Sequence, residues 1–102
     1  MKYILLALMF VTTIASAVTD EGTISELYAA NSGHVAIKLS DGFPDTRSVC
    51  PNNNGWAGVT VDAPELKSAL LAAKMSQSTV VVSISGCTAN GAWMNIDSVY
   101  VK

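Results

Sequence analysis

Two tryptophans, each beside asparagine residues, are the side chains of this chain best suited to bind a ligand. Trp93 lies between Asn90 and Asn95, and Trp56 follows shortly after three asparagines at 52–54. An indole ring offers a flat apolar platform, and an amide side chain both donates and accepts hydrogen bonds. Together they can hold a ligand that has an apolar face beside polar groups. The competing interpretations are structural: Trp93 covers an open end of the fold, and Trp56 lies in a solvated loop.

The residue types that carry covalent or metal chemistry are sparse. His34 is the only histidine, and no cysteine or carboxylate pattern lies close to it in sequence, so a metal site is not expected. Ser83 and Ser85 lie in an alternating apolar segment and not in a Gly-x-Ser-x-Gly elbow. A set of serine, His34 and Asp97 could be written down for almost any small chain. We therefore expect a protein that is not an enzyme and has no cofactor.

The N-terminal segment predicts export. Residues 1–17 combine Lys2, an apolar run at 3–11 and a small-x-small sequence at 15–17, which is the pattern of a secretory signal peptide. The apolar run is shorter than the about 20 residues that a permanent membrane span needs. We expect a signal peptide at 1–17 and one domain at 18–102, located in the periplasm or secreted.

Cys50 and Cys87 are the only cysteines, and export predicts that they form one disulfide. The bridge would close a loop of about 38 residues, for which chain-entropy arguments give about 4 kcal/mol of stabilisation. A redox or metal pair is the weaker interpretation, because the two cysteines lie far apart in sequence and the chain has one histidine.

The charge of the chain excludes some classes of partner. The formal net charge is −2, and it becomes −3 when Lys2 leaves with the signal peptide. The charged residues are scattered without a basic stripe, so neither nucleic acid nor an anionic membrane surface is an expected partner.

Apolar periodicity and turn signals predict five strands and one helix in the order β-β-β-α-β-β. The predicted strands are 22–30, 34–40, 56–62, 79–86 and 93–102. The second and fourth strands alternate apolar and polar residues, which is typical of strands with one buried face. In the third strand, Ala57, Val59 and Val61 are expected on the buried face. In the last strand the alternation slips between Ile96 and Val99, which predicts a bulge.

The helix is predicted between the third and fourth strands. Asp62 is expected to cap it, with Pro64 in the first turn and Glu65 completing a capping box. The apolar stripe that would cover the sheet consists of Leu66, Ala69, Leu70 and Ala73. Leu71 and Met75 form a second apolar pair on the far side, which indicates either a partner surface or an edge of the core.

This order of elements is that of an OB-fold, a mainly β structure in which five strands form a partly open barrel with one helix. An antiparallel sheet with the helix on one face fits the same order. We expect the OB-like barrel.

Three segments give the chain a resemblance to the B subunits of bacterial toxins that combine one A chain with five B chains. They are the first strand at 22–27 (GTISEL), the helix at 64–75 and the closing hairpin at 79–102. The subtilase-cytotoxin and pertussis-like B subunits are the most similar in layout. Cholera-type B subunits are more distant.

The resemblance implies a homo-pentamer whose helices line a central pore, a toxin A subunit as partner, and binding of cell-surface glycans. Leu71 and Met75 would then lie in the oligomer interface. The glycan-binding candidates are Trp93, Asn90, Asn95 and Trp56, because a sugar ring presents an apolar C–H face beside its hydroxyls. Tyr28 and Tyr100 are instead expected to be half in the core.

Two alternatives remain open at this point. The segment 79–102 also resembles the end of small bacterial periplasmic OB-fold proteins, whose last hairpin has a similar Val-x-Val-x-Gly, Trp and Ile-Asp-x-Val pattern. That resemblance implies a monomer with a structural or stress-related role. A third interpretation is a small secreted inhibitor of a hydrolase, which would act through the polar loop at 41–55.

Overall fold

Five strands, one short 3-10 turn and one helix make up the computed structural model, which describes residues 18–102. The predicted signal peptide at 1–17 lies outside the described residues. The elements are β1 (Val18–Ala29), β2 (Val35–Leu39), η1 (Arg47–Val49), β3 (Ala57–Val59), α1 (Pro64–Ser76), β4 (Thr79–Cys87) and β5 (Met94–Val101). In this part of the chain no helix is long and apolar enough to cross a membrane.

The strands close into a barrel in the order β1-β2-β3-β5-β4, with β4 pairing back onto β1. All neighbours are antiparallel except β3 and β5, which run parallel. The predicted OB-like barrel is confirmed. The alternative, an antiparallel sheet with the helix on one face, is wrong. The strand β1 is long enough to pair with two neighbours: residues 18–23 pair with β4, and residues 24–29 pair with β2.

The alternation in β2 and β4 sets the inside of the barrel, as predicted. The inward side chains, all at most 5 % exposed, are Val35, Ile37, Leu39, Val80, Val82 and Ile84. Leu70 and Ala73 of α1 are fully buried in the same core, so the predicted apolar stripe faces the barrel. Burial of these side chains is the main force that closes the sheet.

The third strand is shorter than predicted. It ends at Val59, and Val61 is 62 % exposed, so the expectation that Val61 faces the core is wrong. β3 pairs with β2 over three residues and with β5 over two. The chain then leaves the sheet to reach the start of α1, and no neighbour remains to hold Val61 in the ladder.

The predicted capping box at the start of α1 is wrong. The N-cap is Ala63, and it makes no side-chain capping hydrogen bond. Proline has no N–H and fixes φ near the helical value, so Pro64 is placed at the first helical position. Proline also keeps the residue before it out of the helical region, and Ala63 has φ −142°. The boundary therefore falls one residue after Asp62.

The disulfide and the irregularity in β5 agree with the sequence. Cys50, in the β2–β3 loop, is bonded to Cys87 at the end of β4, with 5.1 Å between their Cα atoms.

Ser83 pairs with Ser98 and Ile84 pairs with Ile96, so Asp97 is an extra residue on β5. This is the bulge that the slipped alternation predicts.

A buried carboxylate holds the long β2–β3 loop against β1. Asp20 is 7 % exposed, and its Oδ2 accepts hydrogen bonds from the backbone N–H of Thr46 at 2.8 Å and from the Thr46 hydroxyl at 2.8 Å. The backbone N–H of Asp45 donates to the same oxygen at 3.1 Å. Such charge-assisted bonds anchor a loop whose other end carries Cys50 and Trp56.

Candidate functional site

A surface pocket of about 230 Å³ is lined by Tyr28, Asn54, Trp56 and Trp93. We call it the aromatic pocket. Three of its four lining residues are aromatic, and both tryptophans of the chain belong to it. The pocket thus joins the two tryptophans that the sequence presents as separate candidates.

Parallel pairing of β3 with β5 brings these tryptophans together. Ala57 pairs with Met94, so the residues just before them, Trp56 and Trp93, lie at the same end of the two strands. The backbone N–H of Met94 donates to the carbonyl of Trp56 at 3.0 Å. One step further out, the backbone N–H of Asn54 donates to the carbonyl of Ala92 at 2.8 Å. These two bonds hold the two loops side by side.

Two neighbouring small residues, which we call the small-residue floor, lie on the outer face of the barrel beside the residues that line the pocket. Tyr28 pairs with Ala36, which pairs with Gly58. Ala36 is fully buried and Gly58 is buried as well, although both lie on the outer face. Side chains must therefore cover them, and the Trp93 indole lies directly over Gly58. A Cβ atom at Gly58 would come within 2.5 Å of Cε3 of Trp93.

Replacing Gly58 with alanine is expected to displace Trp93 and to lower the free energy of unfolding by about 1–3 kcal/mol, the usual cost of overpacking. The new Cβ would also lie 2.8 Å from the carbonyl oxygen of Val35, which is backbone and cannot swing away. Urea unfolding, monitored by circular dichroism, measures the change in the free energy of unfolding.

Gly22→Ala is the matched control, because a Cβ there meets nothing closer than Leu39 Cβ at 3.7 Å. Equal stability of the Gly58→Ala and Gly22→Ala variants would contradict the packing of Trp93 on Gly58.

Tyr28 stands steeply to both indoles. Its ring centre is 6.4 Å from that of Trp56 at an interplanar angle of 67°, and 6.0 Å from that of Trp93 at 75°. His34 approaches Trp93 from the β1–β2 loop, with ring centres 6.1 Å apart. The ammonium of Lys38 lies over the Trp56 ring, 5.0 Å from its centre. The rim of the pocket thus carries one cation and one imidazole.

Asn90 and Asn95, the other two glycan-binding candidates, do not line the aromatic pocket. Oδ1 of Asn90 accepts hydrogen bonds from the Thr88 hydroxyl at 2.7 Å and from the backbone N–H of Ala92 at 2.9 Å. Asn90 therefore shapes the β4–β5 turn that precedes Trp93. Asn95 of β5 pairs with Gly58 of β3, and its amide donates to the Ser85 hydroxyl at 3.4 Å.

Tyr28 is the pocket residue that the sequence analysis did not select, whereas Asn54 is one of the three asparagines noted there beside Trp56. Tyr28 is 48 % exposed and lies on the outer face, so its expected place half in the core is wrong. One signal was present: Ala36 and Gly58 are small residues within predicted strands. A small residue in a strand is typical of a position where another group approaches closely.

The two candidates for the oligomer interface lie on the helix. Leu71 is 44 % exposed and Met75 is 84 % exposed, on the side of α1 away from the core. His34 contacts Trp93, and Ser83 lies on β4. Within residues 18–102 there is no group of three or more His, Cys, Asp or Glu side chains that could hold a metal ion.

No protein-family model, curated protein or solved structure matches this chain. The interpretation of the aromatic pocket therefore depends on its own geometry and chemistry. An open pocket with aromatic walls and an amide at its edge suits non-covalent binding of a ligand with apolar and polar faces.

Proposed function

We propose that this protein is an exported, non-enzymatic module that binds glycans in the aromatic pocket. The observation that carries the proposal is the meeting of Tyr28, Trp56 and Trp93 around one open pocket with Asn54 at its edge. A pyranose ring has an apolar face of C–H groups that stacks on indole. Its hydroxyls can bond to an amide, which both donates and accepts.

The position of the pocket on the barrel supports this proposal. OB-folds bind oligosaccharides and oligonucleotides on the face of strands 2 and 3, with help from the β1–β2 and β4–β5 loops. Here the Trp93 ring covers Gly58 of strand 3, Trp56 directly precedes that strand, and Trp93 ends the β4–β5 loop. The absence of a basic stripe in the sequence argues for saccharide over nucleic acid.

Intrinsic tryptophan fluorescence tests the proposal directly, because both tryptophans of the chain line the pocket. The mature protein would be titrated with a panel of mono- and oligosaccharides. A saturable change in emission with at least one of them is expected. A panel that leaves the emission unchanged, and a glycan array without bound protein, would overturn the proposal.

We further propose that the chain assembles as a toxin B-type subunit, a homo-pentamer that a toxin A subunit can join. Leu71 and Met75 support this proposal, since a helix that serves only its own core needs one apolar face. Export is supported by the disulfide and by the sequence of residues 1–17.

Light scattering of the mature, oxidised protein is expected to give the mass of about five chains, as the resemblance implies. The Leu71→Glu/Met75→Glu double variant should then have the mass of one chain, because charged side chains would be buried at the interface. Glu65→Lys, a charge change at an exposed position on a different face of the same helix, is the matched control and should keep the mass of the unaltered protein.

If the unaltered protein has the mass of one chain, the proposed pentamer is contradicted. That result would favour the alternative, a monomeric periplasmic OB-fold protein with a structural or stress-related role.

A further inference from the structure

The aromatic pocket also has the composition of a site for an organic cation. Three of its four lining residues are aromatic, and none is charged. The face of an aromatic ring carries partial negative charge and attracts a cation within about 6 Å of the ring centre. Cages of aromatic rings are the usual means by which proteins recognise quaternary ammonium groups.

The Tyr28 ring is steeply inclined to both tryptophan rings. Tyr28 is inclined by 67° to Trp56 and by 75° to Trp93, with centre-to-centre distances of 6.4 and 6.0 Å. A cation beside two rings at this separation can lie within about 6 Å of both centres, which is the range of the interaction. All three aromatic residues line the same pocket, so one ligand can contact them together.

A lysine of the protein itself already makes a cation–π contact with one of these rings. The Lys38 ammonium lies 5.0 Å from the centre of Trp56. Lys38 is anchored on β2 directly across from Glu26 of β1, and both side chains belong to the outer face. Glu26 is two residues before Tyr28 on the same strand, so its side chain belongs to the same outer face as Tyr28 and Lys38.

We infer that the aromatic pocket binds a quaternary ammonium group of the choline type, with Lys38 as the resident cation that the ligand displaces from Trp56. This inference goes beyond the proposed glycan binding, because it assigns a second ligand class to the pocket and does not depend on sugar stacking. A quaternary ammonium group fits such walls better than a primary one. It has no N–H to satisfy with hydrogen bonds and presents methyl groups to the rings.

The test is a titration of the full mature protein with choline, in which tryptophan fluorescence reports binding. The matched control ligand is 3,3-dimethyl-1-butanol, which has the shape of choline without its charge. Choline is expected to bind at least five times more tightly than the neutral alcohol, since each cation–π contact adds a two- to fivefold gain and two or three rings contribute. Equal binding of the two ligands, or no binding of choline, would overturn the inference.

Two substitutions test the role of Lys38 and Trp56. Lys38→Ala is expected to strengthen choline binding two- to fivefold, because the competing cation is removed. Lys74→Ala, on α1, is the control and should leave the affinity unchanged. Trp56→Phe keeps an aromatic ring of lower cation affinity and is expected to weaken choline binding. Weaker choline binding by Lys38→Ala would contradict the displacement of Lys38.

The choline group can come from a soluble or glycan-borne phosphocholine or from a lipid head group. Binding of phosphocholine without binding to phosphatidylcholine vesicles would assign the first source. Vesicle binding that phosphocholine reverses would assign the second. Failure of the inference is distinct from failure of the glycan proposal: the saccharide panel and the choline titration are separate, and each can succeed without the other.

Discussion

Saccharide binding is expected to fall about 30-fold when Trp93 is replaced with alanine, which corresponds to the about 2 kcal/mol of a central aromatic contact. Trp93 lies over Gly58, and its ring is a wall of the aromatic pocket. Its removal takes away the platform and uncovers the small-residue floor. Isothermal titration calorimetry is the suitable measurement, because the variant has lost one of its two tryptophans.

The control for this variant is Tyr100→Ala. Tyr100 is 65 % exposed and pairs with Val81 on β4, away from the aromatic pocket. It should bind saccharide as the unaltered protein does. Unchanged affinity in Trp93→Ala would place the binding site elsewhere on the barrel, whereas equal losses in both variants would indicate a general loss of structure.

Removal of the disulfide by the Cys50→Ala/Cys87→Ala double substitution is expected to lower the free energy of unfolding by about 4 kcal/mol. The disulfide joins residues that are 37 positions apart in sequence, and it restricts the conformations of the unfolded chain. A small domain buries a limited core, so a loss of this size is a large part of its stability. Alanine is the better substitute for Cys50, which is fully buried among apolar side chains.

Urea unfolding of the variant and of the oxidised and reduced unaltered protein measures this effect. The reduced protein should lose nearly as much stability as the variant. A difference between the oxidised protein and the variant of less than 1 kcal/mol would contradict the chain-entropy estimate.

The disulfide also connects the framework to the pocket. Cys50 lies four residues before Asn54, and Cys87 ends the strand that leads into the β4–β5 loop and Trp93. The two bonded residues therefore begin the two segments that bring Trp56 and Trp93 side by side. We expect ligand affinity to fall with reduction wherever the reduced barrel stays folded.

Local pattern alone predicted much of this barrel. The alternation at 34–40 and 79–86 matches β2 and β4, and the slipped alternation near Asp97 matches the bulge in β5. Periodicity is a property of neighbouring residues, so it can be read without knowing the fold. One error concerns Tyr28, whose side chain lies on the outer face of the barrel. The other errors lie at boundaries: the start of β1, which is Val18 and not residue 22, the end of β3, and the helix cap. There, pairing partners and Pro64 decide the outcome.

The sequence by itself determined the order of the elements, the inward faces of the strands, the disulfide and the residue types suited to ligand binding. Only the tertiary structure decided that Trp56 and Trp93 form one site and that Tyr28 completes it. The reason is that β3 and β5 pair in parallel across 37 residues, while the β1–β2 register sets Tyr28 beside Ala36. Such pairings depend on how the whole barrel closes, and no local pattern in the chain encodes them.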